Sequence, residues 1–286
     1  MYLDAAELND FYARTRLGRF AGTTLGDRVD GIWPDLKGLT LAAFGFPIPL
    51  LARMRPRAER AVALMPGQQG VVAWPGNGLN VSVLTGECDW PLHDASADRI
   101  LLLHGLEASD NPAGLLDECW RVLDSSGRLL VIVPNRAGLW ARRDATPFGY
   151  GRPYSAWQLE SELNQHRFET AWHGAALFAP PSDKGFWHRA GPAWERFGCR
   201  TPLSFAGGVI LLEATKRVLA PHKPPLKEAV KRRLRGLEEI AAPVPKPVSG
   251  RMRRKTAAHA ENERENLPYF SRAERKVGNS LAKTTR

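Results

Sequence analysis

The sequence lacks several features that would place it in a well-marked class. Its three cysteines, Cys88, Cys119 and Cys199, are too few and too widely spaced for a disulfide framework or a C-x-x-C metal site. The longest apolar runs, such as residues 100–103 and 129–133, are too short to span a bilayer. The early residues are acidic and do not resemble a signal peptide. We therefore expect a cytoplasmic protein with free thiols.

Common catalytic motifs are also missing. None of the seven histidines forms an H-x-x-x-H or H-E-x-x-H pair, so no metal site is predicted. No G-x-S-x-G segment supplies a nucleophile elbow. A nicotinamide-dependent oxidoreductase needs G-x-G-x-x-G after its first strand, and residues 43–46 do not provide it.

The charge is unevenly distributed along the 286 residues. The formal net charge is +10, and residues 219–286 contain 17 Lys and Arg against 7 Asp and Glu. The preceding part therefore balances at 23 basic and 23 acidic residues. We predict an N-terminal helical cap over residues 1–34, an α/β domain over 35–217, and a basic, proline-punctuated and largely disordered tail over 218–286.

The tail contains one amphipathic segment. Leu226, Val230, Leu234 and Leu237 recur at helical spacing, and basic residues occupy the other sides. This pattern suits contact with an acidic partner, RNA or an anionic membrane surface. The plainer interpretation, which we favour, is a helix packed on the core, followed by a solvated tail.

Short apolar runs alternate with helical patterns before residue 218, which is typical of an α/β fold. We predict helices over residues 5–17, before Pro34, from residue 48, from Asn111 to Gly127, and over 157–163, with Asn111 as an N-cap and Gly127 as the stop. The predicted strands are residues 39–43, 60–65, 80–84, 99–103, 129–133, 168–178 and 208–215. The runs at 99–103 and 129–133 are continuously apolar, as in a parallel sheet covered on both faces.

Three segments follow predicted strands and should meet at one edge of the sheet. They are the turn at residues 42–49, the acidic stretch 87–89, and residues 104–107, which read H-G-L-E. In a doubly wound sheet, ligands bind at the carboxyl ends of the strands. These positions predict a crevice for a nucleotide-like cofactor.

Two stretches resemble class I S-adenosylmethionine-dependent methyltransferases of the type 11 group. Residues 86–100, G-E-C-D-W-P-L-H-D-A-S-A-D-R-I, look like that group's G-D-A-E-x-L-P-F-x-D-x-S-F-D-x-V. Residues 118–123 and 127–130 are similar to its E-I-x-R-V-L-K-P-G-G-x-L-L. The order and spacing match from about residue 39 to 133, and with the late strands the resemblance covers roughly 35–217.

The resemblance implies a Rossmann-like, doubly wound sheet of seven strands with the last strand antiparallel. It also implies S-adenosylmethionine lying across the carboxyl ends of strands one, two and four. Glu87 matches the acid that faces the adenine amino group, and Cys88 the residue whose backbone N–H meets the ring. The residues expected at the cofactor are Ala43, Phe44, Gly45, Met65, Glu87 and Cys88.

The sequence departs from the family at two motifs. The family's acid-x-G-x-G-x-G corresponds here to residues 41–47, L-A-A-F-G-F-P, in which only Gly45 is retained. Its ribose-binding acid is absent from the end of the second strand, residues 64–66, L-M-P. One lost hydrogen bond from a charged group costs about 1.5–3 kcal/mol. Met65 could offer the adenine an apolar platform, or could simply belong to the core.

Other residues are candidates for chemistry on the acceptor. His104 could act as a general base, or could be a hydrogen-bonded turn residue. Asn135, Arg152 and Tyr154 lie in a Gly-, Pro- and aromatic-rich stretch after the fifth strand and could contact the acceptor. The alternative is a rigid loop in which Ser155 caps the next helix.

Two hypotheses about function follow. The first is an S-adenosylmethionine-dependent methyltransferase acting on a small-molecule or lipid-like acceptor. The second is a degenerate methyltransferase fold that acts as a non-catalytic binding or regulatory protein through its basic tail. The matched motifs favour the first, and the eroded glycine motif favours the second.

Overall fold

A computed structural model describes residues 3–143, 146–182, 191, 193–198 and 207–217. Within these ranges the chain forms five helices of seven or more residues: α1 (Ala5–Arg14), α2 (Arg16–Ile32), α3 (Ile48–Met54), α4 (Pro112–Val122) and α5 (Ala156–Gln165). The seven strands are β1 (Thr40–Gly45), β2 (Arg60–Pro66), β3 (Ser82–Thr85), β4 (Ala97–Leu103), β5 (Leu123–Pro134), β6 (Phe168–Ala176) and β7 (Val209–Lys216). Residues 218–286, with the predicted amphipathic segment, lie outside the described residues, as does Cys199.

The strands form one mixed sheet in the order β3-β2-β1-β4-β5-β7-β6. The first five strands pair in parallel, and β7 is antiparallel to both β5 and β6. This arrangement confirms the predicted Rossmann-like sheet of seven strands with the last one antiparallel. The chain order reverses between β1 and β4, so the carboxyl ends of these two strands flank the position where such sheets bind ligands.

Apolar side chains cover both faces of the sheet. One cluster joins α1, α2 and α3 to one face, and a second joins α4 and α5 to the other. The central strands β1 and β4 supply residues to both clusters, because successive side chains point to opposite faces. For example, Ala43 and Leu101 belong to the first cluster, whereas Phe44 and Leu102 belong to the second.

Capping residues explain where several helices begin. The Asn111 side chain accepts a hydrogen bond from Gly114 N, and Ser155 forms a capping box with Gln158, as both N-cap predictions required. The predicted first helix over residues 5–17 is divided, because Thr15 is extended and serves as C-cap of α1 and N-cap of α2. The prediction that Gly127 ends α4 is wrong. That helix ends at Val122, and Gly127 lies within β5.

Candidate functional site

The first functional segment is the junction between the carboxyl ends of β1 and β4. Gly45 ends β1 with φ +97°, and a Cβ atom there would lie 2.2 Å from the backbone oxygen of Leu103. The next residue, Phe46, donates its backbone N–H to that same oxygen over 2.7 Å. Glycine is therefore required here because two strands meet closely. The retained glycine of the eroded motif is explained by strand packing alone.

Helix α1 covers this junction. The Tyr12 ring stacks on Phe46, with centroids 6.1 Å apart, and its hydroxyl is 2.8 Å from Nε2 of His104. Ala5 N donates to the backbone oxygen of Gln69 over 2.7 Å, and Leu8 is buried. We call the space enclosed by α1 and the carboxyl ends of β1 and β4 the crevice.

A buried chain of polar side chains crosses the crevice. His104 is 3% exposed, with Nε2 facing the Tyr12 hydroxyl and Nδ1 3.1 Å from Oε1 of Glu107. Burial, with a smaller contribution from Glu107, raises the pKa of Tyr12 well above its ordinary value, so the hydroxyl keeps its proton. The hydroxyl can then donate to Nε2 while Nδ1–H donates to Glu107. In this arrangement Tyr12 already occupies the lone pair that a general base would use.

Two buried acceptor atoms of the crevice remain without a hydrogen-bond partner among the described residues. They are Oε2 of Glu107 and Oε1 of Gln69, whose amide nitrogen donates to His104 O. Both residues line a cavity of about 20 Å³ beneath α1. Two unpaired acceptors, one of them a carboxylate oxygen, create a demand for a donor, preferably a cationic one.

The ammonium of S-adenosylmethionine is a donor of the kind that these acceptors require. The cavity, however, is too small to hold the cofactor. A cavity of about 20 Å³ accommodates one water molecule, whereas small-molecule sites span roughly 300–1,000 Å³. Tyr12 and Phe46 pack over the carboxyl ends of β1 and β4, across which the resemblance implies that the cofactor lies. With α1 in this position, the residues present do not fit the cofactor.

The predicted cofactor residues of β1 and β2 are core residues. The side chains of Ala43, Phe44 and Met65 are fully buried. Phe44 stacks on Trp90 with centroids 5.2 Å apart, and Met65 Sδ accepts a hydrogen bond from Val72 N. The Met65 side chain packs in the core in this structure, and its role as a platform for adenine stays a prediction.

Glu87 binds the loop before α4. One of its carboxylate oxygens accepts from Ser109 Oγ at 2.7 Å and Asn111 N at 3.0 Å, and the other accepts from Asp110 N at 3.1 Å. Cys88 is exposed and lies 3.6 Å from the side-chain amide of Asn111. Burial and the neighbouring Glu87 raise the pKa of the Cys88 thiol, which disfavours a nucleophilic thiolate. Adenine recognition by these two residues stays a prediction.

The three predicted acceptor residues do not share one environment. Asn135 is buried, donates its amide to Gly207 O and accepts from Ala137 N, so it shapes the loop after β5. Arg152 and Tyr154, in contrast, line a cleft of about 350 Å³ beside α5. This α5 cleft is further lined by Pro112, Arg136, Pro153, Trp157, Gln158, Ser161, Glu162 and Gln165. A role for Asn135 at the acceptor stays a prediction, and in this structure its amide is engaged by the protein itself.

Sequence reasoning missed the residues that close the crevice. No motif in the sequence marks Tyr12 as part of a site, and Gln69 lies in a loop without a motif. Glu107 was noticed within residues 104–107 but received no role. A polar residue three positions after a strand-end histidine was the one available signal for the His104–Glu107 pair.

Comparison with known proteins agrees with the observed topology. Residues 51–131 match the family model described as a methyltransferase domain. A SAM-dependent methyltransferase of Thermotoga maritima aligns at 17% identity with a TM-score of 0.52, covering 74% of this chain and 97% of its own. The chain therefore shares the fold of this methyltransferase. At this level of identity, the structural likeness establishes the fold alone.

Methyltransferase folds also support other chemistry. The cyclase SpnF aligns at 20% identity with a TM-score of 0.50, covering 72% of this chain and 85% of its own. No curated protein matches the chain significantly. The reaction must therefore be argued from this chain's own residues.

Two further properties concern the described residues only. Among them, no group of three or more His, Cys, Asp or Glu side chains is arranged to hold a metal ion. No helix in the described ranges is both long and apolar enough to cross a membrane.

Proposed function

We propose that this protein is an S-adenosylmethionine-dependent methyltransferase acting on a small-molecule acceptor, and that its cofactor enters the crevice after α1 moves aside. The observation that carries the proposal is the pair of unpaired acceptors, Glu107 Oε2 and Gln69 Oε1, at the carboxyl end of β4. Leaving such groups buried costs about 1–3 kcal/mol each. A ligand with a cationic donor would remove that cost.

Helix α1 is suited to act as a removable cover. Its contacts with the body include three buried side chains, Ala5, Leu8 and Tyr12, and two hydrogen bonds, one between Tyr12 and His104 and one from Ala5 N to Gln69 O. Burying one large apolar side chain contributes about 1.5–3 kcal/mol. Displacing α1 therefore costs several kcal/mol, which lowers the apparent affinity for any ligand that requires the open state.

The experiment is calorimetric titration of the demethylated cofactor, S-adenosylhomocysteine, into the full chain and two variants. Leu8→Ala loosens α1, whereas Leu163→Ala removes an equally buried leucine from α5 as the matched control. We expect weak binding to the wild type, binding at least about tenfold tighter to Leu8→Ala, and no tightening in the control. Equal affinities in all three proteins would contradict the proposal that α1 covers the crevice. Absence of binding to the folded Leu8→Ala variant would contradict the proposal that the protein is a methyltransferase.

The tight packing of Tyr12, Phe46 and His104 favours a second candidate, a methyltransferase fold that binds a partner without catalysis. The same titration separates the two proposals, because this candidate predicts no cofactor binding in any variant. This candidate assigns the contact with the partner to the basic tail. Capture experiments with and without residues 218–286 test that assignment.

A further inference from the structure

We propose that the α5 cleft binds a small planar aromatic anion, with its carboxylate or phosphate on Arg152 and Arg136 and its ring against Trp157. The inference rests on the proposed function only in identifying the bound molecule as the methyl acceptor. Binding itself requires no cofactor and can be measured alone.

Two guanidinium groups make the cleft attractive to an anion. Arg152 is exposed, and its side chain forms no ion pair or hydrogen bond with any described residue. Arg136 donates Nε and Nη2 to Pro153 O at 3.3 and 3.1 Å, which directs one edge of its guanidinium and leaves Nη1 without a partner among the described residues. Glu162 is the one acid among the lining residues. Paired planar donors of this kind suit carboxylate and phosphate oxygens.

An exposed tryptophan supplies a surface for a ring. Trp157 is 74% exposed although it lies in the first turn of α5. The capping box of Ser155 and Gln158 holds this turn, so the backbone position of Trp157 is well defined. A large apolar ring left in solvent beside two guanidinium groups is the arrangement that a flat, charged ligand would cover.

The backbone beneath the cleft is also preorganised. Tyr154 N donates to Pro134 O at 3.0 Å, and Arg136 N donates to Tyr154 O at 2.8 Å, so the segment pairs with the extension of β5. Arg152 N donates to Glu107 O at 2.8 Å, which connects the cleft to the crevice. Tyr150 and Gly151 line the small cavity of the crevice, and the next residue, Arg152, lines the α5 cleft. An acceptor bound in the cleft would thus lie next to the crevice.

The size of the cleft indicates a small ligand. A volume of about 350 Å³ lies at the lower end of the range for small-molecule sites. It suits a molecule of one or two rings. Burial raises the pKa of Tyr154, a lining residue of the cleft, and the positive charge of Arg152 opposes this shift.

The test measures binding of three probes to the full chain without cofactor: 4-hydroxybenzoate, phenyl phosphate and the neutral 4-hydroxybenzamide. We expect at least one anion to bind about tenfold more tightly than the amide, because charged hydrogen bonds are lost in the neutral probe. The stronger anion identifies carboxylate or phosphate as the preferred group. Calorimetry gives the affinity, and the indole N–H resonance of Trp157, assigned with Trp157→Phe, should shift on binding.

Variants locate the binding. Arg152→Gln should weaken the anion about tenfold, and Trp157→Ala about three- to tenfold. Arg16→Gln and Trp172→Ala, which change an exposed arginine on α2 and an exposed tryptophan on β6, should leave the affinity unchanged.

Three results would overturn the proposal: no binding of either anion at millimolar concentration, equal binding of acid and amide, or unchanged affinity in Arg152→Gln and Trp157→Ala. A single-stranded oligonucleotide that binds more tightly than the small anions through the same residues would replace it with a nucleic-acid surface. Because no cofactor is present, none of these outcomes depends on whether the crevice opens.

Discussion

The crevice and the α5 cleft are connected by the hydrogen bond from Arg152 N to Glu107 O, but they use their polar residues in opposite ways. In the crevice, Tyr12, His104 and Glu107 are bonded to one another and buried. In the cleft, the Arg152 guanidinium and the Trp157 ring face solvent. Buried polar groups must be paired within the protein, whereas exposed ones stay available to a ligand. The position that the resemblance implies for the cofactor is thus closed, while a neighbouring position is open.

The largest effect should come from the strand junction that forms the base of the crevice. Gly45→Ala places a methyl group 2.2 Å from Leu103 O at φ +97°, so we expect a loss of at least about 3 kcal/mol in the free energy of unfolding. Denaturant titration measures it. Gly31→Ala is the control, because a Cβ there meets nothing within 4 Å and should stabilise α2 by about 0.5–1 kcal/mol. Equal stabilities for the two variants would mean that the junction has room for a side chain.

A smaller effect should distinguish the two tyrosines. Tyr12→Phe removes the hydroxyl that faces His104 Nε2 and should lower the free energy of unfolding by about 1–3 kcal/mol, because the imidazole nitrogen stays buried. Tyr154→Phe should change it by less than about 0.5 kcal/mol, since no hydrogen bond joins its hydroxyl to the described residues. Thermal and chemical unfolding of both variants check this. Equal losses would contradict the contrast between a paired crevice and an unpaired cleft.

The smallest expected effect is a change in the pKa of Tyr154, which lines the cleft. Burial, followed by Glu162 and Glu107, raises the pKa of Tyr154 to about 12, and Arg152 opposes the shift. Glu162→Gln should therefore lower this pKa and Arg152→Gln should raise it further. Phenolate absorbance of each variant, with Tyr154→Phe to identify the signal, measures both directions. Shifts of the same sign in the two variants would place Arg152 away from the cleft floor.

The same pKa shift has a consequence for stability. The folded-state pKa of Tyr154 lies above the ordinary value of 10.0, so the unfolded chain loses this proton first as the pH rises. The contribution to stability is fully present below pH 10 and is lost as the pH rises toward 12. Tyr154→Phe should remove that part of the alkaline decline.

Local patterns predicted much of the fold. Asn111 and Ser155 were recognisable as N-caps from their side chains, and the apolar runs of β4 and β5 from their continuity. The end of α4 could not be recognised in this way. Gly127 is a plausible helix stop, but the helix ends at Val122 because Leu123 pairs with Ala97 and begins β5. Among the candidate acceptor residues, Arg152 and Tyr154 line one cleft. Asn135 differs, because its burial was decided by contacts with residue 207, far along the chain.

The sequence by itself determined the order of strands and helices and the loss of the glycine motif, because both depend on residue type and local periodicity. Only the tertiary structure decided that α1 covers the crevice. Tyr12 and His104 are separated by 92 positions, and nothing local in either segment encodes their contact. A long-range packing arrangement of this kind depends on how the elements fill space together, and it determines whether a ligand can enter.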